Sequence, residues 1–394
     1  MTASPSKSTL RQIPTSIWVL GFVSMLMDIS SEMIHSLLPL FMLTVLGASV
    51  FAIGVIEGIS ESIALIVKVF SGVLSDYLGK RKLLTVFGYS LGALSKPLFA
   101  LAASLNAIIA ARFLDRIGKG IRGTPRDALI ADITPVHLRG AAFGLRQSLD
   151  TVGAFVGPLL GVALMLLWAN NFRAIFWVSV IPAVLAVVLL VVGVKEPATI
   201  LPQAGKNPIQ RENLKRLNAS YWWVVIVGAV FTLARFSEAF LILKAQQVGV
   251  ALALVPLVMV AMNLVYAGAA YPFGILSDRI GSRELLIGSL IVLIVADIIL
   301  ALSTHWSGLL AGVLLWGVHM SMSQGLLSKM VADTAPTDLR GTAFGFFNVA
   351  SGVALLIASR LAGLLWQQAG SSATFYAGAG FSMLALIGLL LKRK

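Results

Sequence analysis

The chain repeats itself at about half its length, and this repeat limits which folds the sequence can adopt. GVLSDYLGKRK at 72–82 matches GILSDRIGSRE at 274–284, which lies 202 residues later. ADITPVHLRGAAFG at 131–144 matches ADTAPTDLRGTAFG at 332–345, which lies 201 residues later. The second match is too long to arise by chance. The chain therefore contains two similar halves.

Long apolar segments fill both halves. Of the 394 residues 58% are hydrophobic and 12% are charged, and the mean hydropathy is +0.92. Soluble domains carry about 25% charged residues, and a membrane-spanning helix needs about 20 mostly apolar residues. We therefore predict an all-α polytopic membrane protein with twelve transmembrane helices. The spans lie near 16–43, 51–75, 83–103, 107–131, 141–168, 173–194, 221–246, 253–276, 284–303, 307–331, 342–366 and 372–391.

The basic residues of the loops predict the orientation. Nearly all of them fall on one side, including Lys7, Arg11, the 80–82 triplet and 392–394, whereas the opposite loops hold only Arg173. Loops rich in Lys and Arg stay in the cytoplasm. We therefore expect a multi-pass protein of a bacterial-type plasma (inner) membrane, with both termini cytoplasmic. The net charge of +13 is then a signal of topology, and we expect no nucleic-acid partner.

Each half of the repeat contains six predicted spans. We predict two pseudo-symmetric six-helix bundles at 1–194 and 221–394, joined by a polar cytoplasmic linker at 195–220. Ser31–Glu32 in span 1 pairs with Ser237–Glu238 in span 7. Parallel repeats of this kind are typical of transporters whose substrate site lies near mid-membrane, between the halves.

The repeated loop after span 2 resembles that of the major facilitator superfamily. Gly72, Asp76, Gly79, Lys80 and Arg81 match its first copy, and Gly274, Asp278, Arg279, Gly281 and Arg283 match its second. The resemblance covers the whole chain and implies a rocker-switch transporter. It also implies that this loop latches the cytoplasmic side, so we assign gating to Asp76, Lys80, Arg81, Asp278, Arg279 and Arg283.

Span 5 carries a second pattern of this superfamily. GAFVGPLLG at 153–161 resembles the motif of its proton-driven antiporters, and the corresponding stretch of the second half lacks it. The resemblance favours export by antiport. The alternative is ordinary helix packing, because small residues let helices approach closely and proline bends a helix.

Span 4 is the most charged of the spans. At about 100° per residue, its five bases and two acids fall within about 140° of one face. A charged face exposed to lipid is costly, so the stripe is expected to point into the protein. The equivalent span, 313–333, keeps only one base, Lys329. The stripe consists of Arg112, Asp115, Arg116, Lys119, Arg122, Arg126 and Asp127.

The antiporters of the superfamily usually carry one arginine on span 4, and Arg112 and Gly118 match their pattern. Asp115 and Arg116 depart from it, because they stand where a glutamine and a glycine are usual. A single arginine suits proton coupling. Five bases suit an anionic ligand or a set of internal salt bridges.

Other ionisable residues within the spans are candidates for the same reason. Substrate binding or proton coupling is assigned to Asp28, Glu32, His35, Glu57, Glu61, Arg112, Asp115, Arg116, Lys119, Arg122, Arg235 and Glu238. Gating near the cytoplasmic end is assigned to Arg126, Asp127, Arg146 and Asp150. The alternative is that acids and bases pair into structural networks. The aromatic residues Phe236, Phe240, Trp316 and Phe347 line an apolar part of the site or form packing.

The most specific prediction is proton-coupled efflux of a small organic compound, anionic or zwitterionic, against Arg116 and Lys119. Glu32 or Asp28 would exchange partners with Arg112 or Arg116 as the halves rock. The alternative is uptake or exchange of an organic anion or phosphate-bearing solute. A sensor or scaffold has no supporting feature, and no motif indicates an enzyme. We expect a monomer in the bilayer with no cofactor and no metal, with protons and a small-molecule substrate as partners and the proton gradient as energy source.

Overall fold

The computed structural model describes residues 12–78, 80–135, 138–195, 217–323, 326–336 and 339–391, all of which form helices and their connections. Within these residues the side chains at 73, 76, 77, 139, 140, 270, 271, 274, 275, 277–279, 328, 329, 332 and 340–342 are not described. The helices of the first half are α1 (Thr15–His35), α2 (Leu38–Thr44), α3 (Val50–Leu78), α4 (Arg81–Leu101), α5 (Leu105–Ile133), α6 (Arg139–Leu167) and α7 (Phe172–Gly193). The helices of the second half are α8 (Ala219–Ala234), α9 (Ala239–Gln247), α10 (Leu257–Ile280), α11 (Ser282–Leu302), α12 (Trp306–Ser323), α13 (Leu326–Thr334), α14 (Arg340–Ala369) and α15 (Ser371–Leu391).

Ten helical segments of the described residues are long and apolar enough to cross a membrane. The predicted spans missing from the ten are span 4, which is α5, and span 10, which is α12 and α13. α5 has sufficient length, 29 residues, but its charges lower its hydropathy. The chain is thus a multi-pass membrane protein, and the count of twelve spans stays a prediction.

Several helices begin at side chains that accept hydrogen bonds from the first turn. Ser104 accepts from the Ala107 amide before α5, Asn171 from the Ala174 amide before α7, and Asn218 from the Tyr221 amide before α8. Such caps satisfy amides that have no partner within the helix. These polar residues therefore set where three of the spans begin.

Two predicted spans each consist of two helices. Span 1 is divided at Ser36 and Leu37, directly after His35, and span 7 is divided at 235–238. Both interruptions place ionisable residues beside non-helical backbone. In transporters, such discontinuous helices position groups that bind substrates and ions.

The chain divides into two compact units. Unit 1 comprises 1–37 and 67–205, and unit 2 comprises 38–66 and 206–394. α3 continues from one unit into the other. The bundles predicted at 1–194 and 221–394 stay a prediction drawn from the repeat, and most of the predicted linker lies outside the described residues.

Within unit 1, α1 packs against α6 and α7, and α4 packs against α5 and α7. Its apolar core includes Ile17, Leu20, Tyr89, Ala183 and Leu190. The charged face of α5 is thereby held against α4, which positions the site described below.

Within unit 2, α11 packs against α12 and α15, and α14 packs against α8 and α15. The first part of α3 belongs to this unit and lies against α14. Ser62 Oγ donates to the Gly352 carbonyl at 2.6 Å, and a Cβ atom on Gly363 would meet the Phe51 Cα at 3.0 Å. Small residues therefore permit the close approach of these two helices.

Candidate functional site

Asp115 on α5 is the centre of a buried charged cluster in unit 1. Its Oδ1 lies 2.8 Å from Lys96 Nζ on α4, and its Oδ2 lies 3.3 Å from His35 Nε2 at the end of α1. Arg116 Nε lies 3.8 Å from the same Oδ2. Lys96 is 0% exposed and Asp115 is 1% exposed. Because buried charges are tolerated only when they are paired, this set of contacts depends on all its members.

The cluster continues from Asp115 toward a more accessible carboxylate. The His35 ring lies between the two acids, with its Nδ1 3.6 Å from Glu32 Oε1. Arg116 Nη2 lies 3.2 Å from the same Nδ1. The Glu32 side chain is 25% exposed, compared with 2% for Asp115. A carboxylate, an imidazole and a second carboxylate thus lie in sequence from a partly exposed position to a buried one.

Span 5 packs directly on the acidic face of α1. A Cβ atom added to Gly153 would lie 2.9 Å from the Asp28 Cβ, and one added to Gly157 would lie 2.8 Å from the Glu32 Cβ. Atoms of real side chains do not approach this closely. The antiporter-like pattern therefore does serve helix packing, as the alternative stated, and the packed face is the one that carries the acids.

α4 and α5 also meet through glycines. A Cβ on Gly88 would lie 2.7 Å from the Gly118 carbonyl oxygen, and one on Gly118 would lie 2.7 Å from the Gly88 carbonyl oxygen. This contact brings α4 against the charged stripe of α5. Lys96 becomes the partner of Asp115 for this reason.

Tyr89 on α4 contacts two arginines of the stripe. The Arg122 guanidinium lies 4.8 Å from the centre of the Tyr89 ring, and Arg126 donates to the Tyr89 hydroxyl at 3.4 Å. Arg126 also donates to Ser24 Oγ at 3.1 Å. A cation over an aromatic face gains electrostatic energy when it is removed from water. Tyr89 therefore stabilises two like charges on consecutive turns of α5.

The stripe is buried along part of its length. Arg112, Asp115, Arg116 and Arg122 are at most 5% exposed. Lys119 is exposed and makes no ion pair or hydrogen bond with the described residues. Lys119 is therefore the base of the stripe that is accessible to a ligand. Arg126 and Asp127 pair with each other at 3.1 Å near its C-terminal end, with side chains 13% and 38% exposed.

Asp28 lies one helical turn before Glu32. It is half-buried and, like Lys119, has no ion pair or hydrogen bond with the described part of the chain. These two predicted site residues of opposite charge thus form no ion pair or hydrogen bond with the described residues, although the charge of Lys119 acts on Asp28.

The comparison with known families decides the class of protein. The sequence model of the Major Facilitator Superfamily matches residues 20–243 and residues 224–394. The chain belongs to this superfamily. The resemblance drawn from the repeated loops is thereby confirmed.

Relatives within the superfamily match over nearly the whole chain. An uncharacterized MFS-type transporter of Methanocaldococcus jannaschii is 35% identical over 389 residues, covering 97% of this chain and 95% of that protein. The inner membrane transport protein YajR of Escherichia coli is 26% identical, covering 94% and 81%. The crystal structure of a POT family transporter with a bound thioalcohol-conjugated peptide shares the fold, with a TM-score of 0.79 at 13% identity and coverage of 97% and 98%. The chain is therefore a transporter of this superfamily.

Several residues assigned to gating form ion pairs or hydrogen bonds. Arg146 donates to Asp150 Oδ2 at 2.8 Å, and Arg81 lies 2.8 Å from Asp132 Oδ2. Arg283 donates to the Leu389 carbonyl at 2.7 Å, and Lys80 is exposed. The predicted gating residues Asp76, Asp278 and Arg279 have side chains outside the described part of the structure.

The remaining predicted site residues belong to unit 2. Arg235 and Glu238 flank the interruption of span 7 and are both half-buried. Glu57 is 5% exposed, and Glu61 is half-buried. None of the four belongs to the unit that contains the Asp115 cluster.

The aromatic residues of unit 2 pack against one another. Phe236 lies 5.4 Å from Phe240 and 5.5 Å from both Trp316 and Phe375, measured between ring centres. Trp316 and Phe240 are 0% exposed, so these rings are core in this conformation. Phe347 instead lies in a separate core cluster beside Gly228.

Sequence reasoning assigned no role to several residues of the cluster. Lys96 was visible as a base within an apolar span, but its partner depends on which helix packs against α4. Ser31, which accepts a hydrogen bond from Lys96 at 3.0 Å, was noticed only as part of the repeat. Ser24 and Tyr89 carry no sequence signal that distinguishes them from other polar residues of the spans.

Proposed function

We propose that this transporter exports a small organic anion or zwitterion in exchange for protons, by rocker-switch alternating access. The observation that carries the proposal is the series Glu32, His35 and Asp115 in unit 1. It links a partly exposed carboxylate to a buried charge network.

Proton coupling follows from how this series is held together. Glu32 contacts His35 at 3.6 Å, and His35 contacts Asp115 at 3.3 Å. A proton on Glu32 removes the negative charge that attracts the His35 and Arg116 side chains. Loading and unloading Glu32 would therefore change the charge balance around Arg116, and a conformational equilibrium shifts when a bound group interacts differently with its two states.

An anionic substrate is favoured by the surplus of cations on α5. Asp115 is already contacted by Lys96, His35 and Arg116. Lys119 lies one turn from Arg116, is exposed and makes no ion pair or hydrogen bond with the described residues, although its charge acts on Asp28 and Glu32. A substrate carboxylate or phosphate at Lys119 would meet a positive field there, as in electrostatically focused sites.

A ligand screen tests the binding half of the proposal. Purified protein is melted with panels of organic anions and organic cations at several pH values. We expect anions to raise Tm, and we expect Lys119→Ala to abolish the shift while Lys119→Arg retains it. Lys195→Ala, which removes an exposed lysine beyond the end of α7, is the matched control and should bind as the wild type does. Stabilisation by cations alone would contradict an anionic substrate.

Uptake or exchange of an organic anion is the second candidate, because the same basic stripe suits both directions. A ligand from the screen is loaded into right-side-out and inverted vesicles. Proton-driven accumulation in inverted vesicles supports export. Accumulation in right-side-out vesicles alone would replace export with uptake.

A further inference from the structure

The repeat places a second ionisable residue at the position of Lys96. α4 runs Arg81–Leu101 and α11 runs Ser282–Leu302, so both helices have 21 residues and corresponding ends lie 201 residues apart. α5 begins at Leu105 and α12 at Trp306, with the same separation. Lys96 thus corresponds to Asp297, and Asp115 corresponds to Trp316. Both Lys96 and Asp297 are 0% exposed.

The two positions differ in what surrounds them. Lys96 has Asp115 at 2.8 Å and Ser31 at 3.0 Å. Neither carboxyl oxygen of Asp297 has a hydrogen-bond partner among the described residues, and Trp316 Nε1 has none either. The helix pair that holds a salt bridge in unit 1 holds an isolated acid in unit 2.

The acid is enclosed by α15 and by the interruption of span 7. A Cβ atom on Gly378 would lie 2.6 Å from Asp297 Oδ2 and 3.0 Å from the Phe236 ring. Glycine at this position leaves room for the carboxyl group. Phe236 belongs to the non-helical residues 235–238, so the ring beside the acid is carried by irregular backbone.

No described cation compensates the acid. α11 packs against α12 and α15 and more lightly against α10 and α13. On α12, His319 bonds instead to Ser289, which precedes Asp297 by about two turns of α11. The titratable side chains described on these four neighbouring helices are His319, Tyr376, Tyr266 and Asp333, and none of them hydrogen-bonds to Asp297. Residues 235–238 add Arg235 and Glu238, which interact with each other, and neither hydrogen-bonds to Asp297.

We propose that Asp297 is a second proton-binding site of this transporter, located in unit 2. An ionised carboxylate without a partner is strongly disfavoured inside a protein, whereas the neutral acid is disfavoured much less. The carboxyl group therefore carries a proton in this conformation. It releases that proton to water when residues 235–238 move and withdraw the Phe236 ring, and it takes a proton from water before they return.

This inference extends the proposed proton coupling to the second half of the chain, but its first test needs no substrate. Infrared spectra of the purified protein are recorded in H₂O and in D₂O across a pH series. We expect a protonated-carboxyl band that is absent in Asp297→Asn, retained in Glu32→Gln, shifted in D₂O, and lost at high pH. Phe236→Ala should accelerate its exchange in D₂O. If Asp297→Asn does not fold, Asp297→Leu, which also removes the carboxyl group, replaces it.

Two outcomes would overturn the proposal. Identical spectra of the wild type and Asp297→Asn would show that the acid is ionised. A band that resists both D₂O and high pH would show a sealed structural acid that exchanges no proton. Either result leaves the Glu32 series intact, because that series is tested by transport and not by this band.

Discussion

The helix pairs α4–α5 and α11–α12 occupy corresponding places in the repeat. Each buries an ionisable side chain, but the side chain is ion-paired only in the first pair, among the described residues. In the first pair Lys96 meets Asp115, and His35 and Arg116 extend the contact into a network. In the second pair Asp297 has no hydrogen-bond partner among the described residues, and Trp316 stands at the position that corresponds to Asp115. The fold therefore does not require charge at this crossing. This difference is consistent with the proposed role of the unit 1 network in proton coupling.

The largest expected effect is the loss of Asp115, which would leave Lys96 buried without its counter-ion. Removing one member of a buried pair destabilises proteins by about 3–5 kcal/mol. We expect Asp115→Leu to lower Tm strongly, and the double variant Asp115→Leu with Lys96→Met to recover most of the loss. Asp127→Leu, at a pair 38% exposed on the acid side, serves as the control. Equal destabilisation by the single and double variants would show that the unpaired Lys96 charge is not the cause of the loss.

Packing of span 5 on the acids gives the next effect. In Gly157→Ala the new methyl group would lie 2.8 Å from the Glu32 Cβ and 2.9 Å from the Ile29 carbonyl oxygen. Overpacking of this kind costs about 1–3 kcal/mol. Gly144→Ala, on the same helix with nothing within 4 Å, should raise the stability slightly, because alanine favours a helix more than glycine does. Thermal melting of the two variants compares them, and equal stability would contradict the close contact between α1 and α6.

Loss of the Tyr89 hydroxyl should have a smaller effect. Tyr89→Phe keeps the ring below Arg122 but removes the contacts with Ser24 at 3.1 Å and Arg126 at 3.4 Å. A hydrogen bond contributes about 1 kcal/mol. We expect a modest decrease of Tm, and no change for Tyr376→Phe, whose side chain is 48% exposed. A decrease as large as that of Asp115→Leu would mean that Tyr89 is part of the charged network.

The smallest change of Tm is expected for substitution of Asp297. This variant tests directly whether the two helix pairs differ in the charge that they bury. If the acid carries a proton, Asp297→Asn replaces one neutral group with another of the same shape. Its Tm should therefore remain close to that of the wild type at neutral pH, in contrast to Asp115→Asn. Melting of both variants in parallel measures this, and a large loss for Asp297→Asn would indicate an ionised, paired carboxylate.

The periodicity of span 4 predicted the burial of its charges because a helix fixes the angle between residues. It succeeded for Arg112, Asp115, Arg116 and Arg122, which are nearly inaccessible. It could not predict that Lys119 is exposed on the same face, because exposure depends on neighbouring helices.

Contacts between helices could not be predicted from the sequence either, because they depend on how the helices pack. Lys96 and Asp115 lie in separate predicted spans, and the contact of Gly88 with Gly118, which the sequence does not predict, brings them together. The interruption at 235–238 also escaped prediction. Its sequence, RFSE, contains neither proline nor glycine, so no local signal marks the end of α8.

The central claim is that Glu32 couples the unit 1 network to the proton gradient. Wild type and Glu32→Gln are reconstituted in proteoliposomes with a ligand from the screen, with and without an imposed pH gradient. We predict that Glu32→Gln still exchanges labelled for unlabelled substrate but no longer accumulates it when the gradient is applied. Accumulation by Glu32→Gln at the wild-type level would contradict the claim.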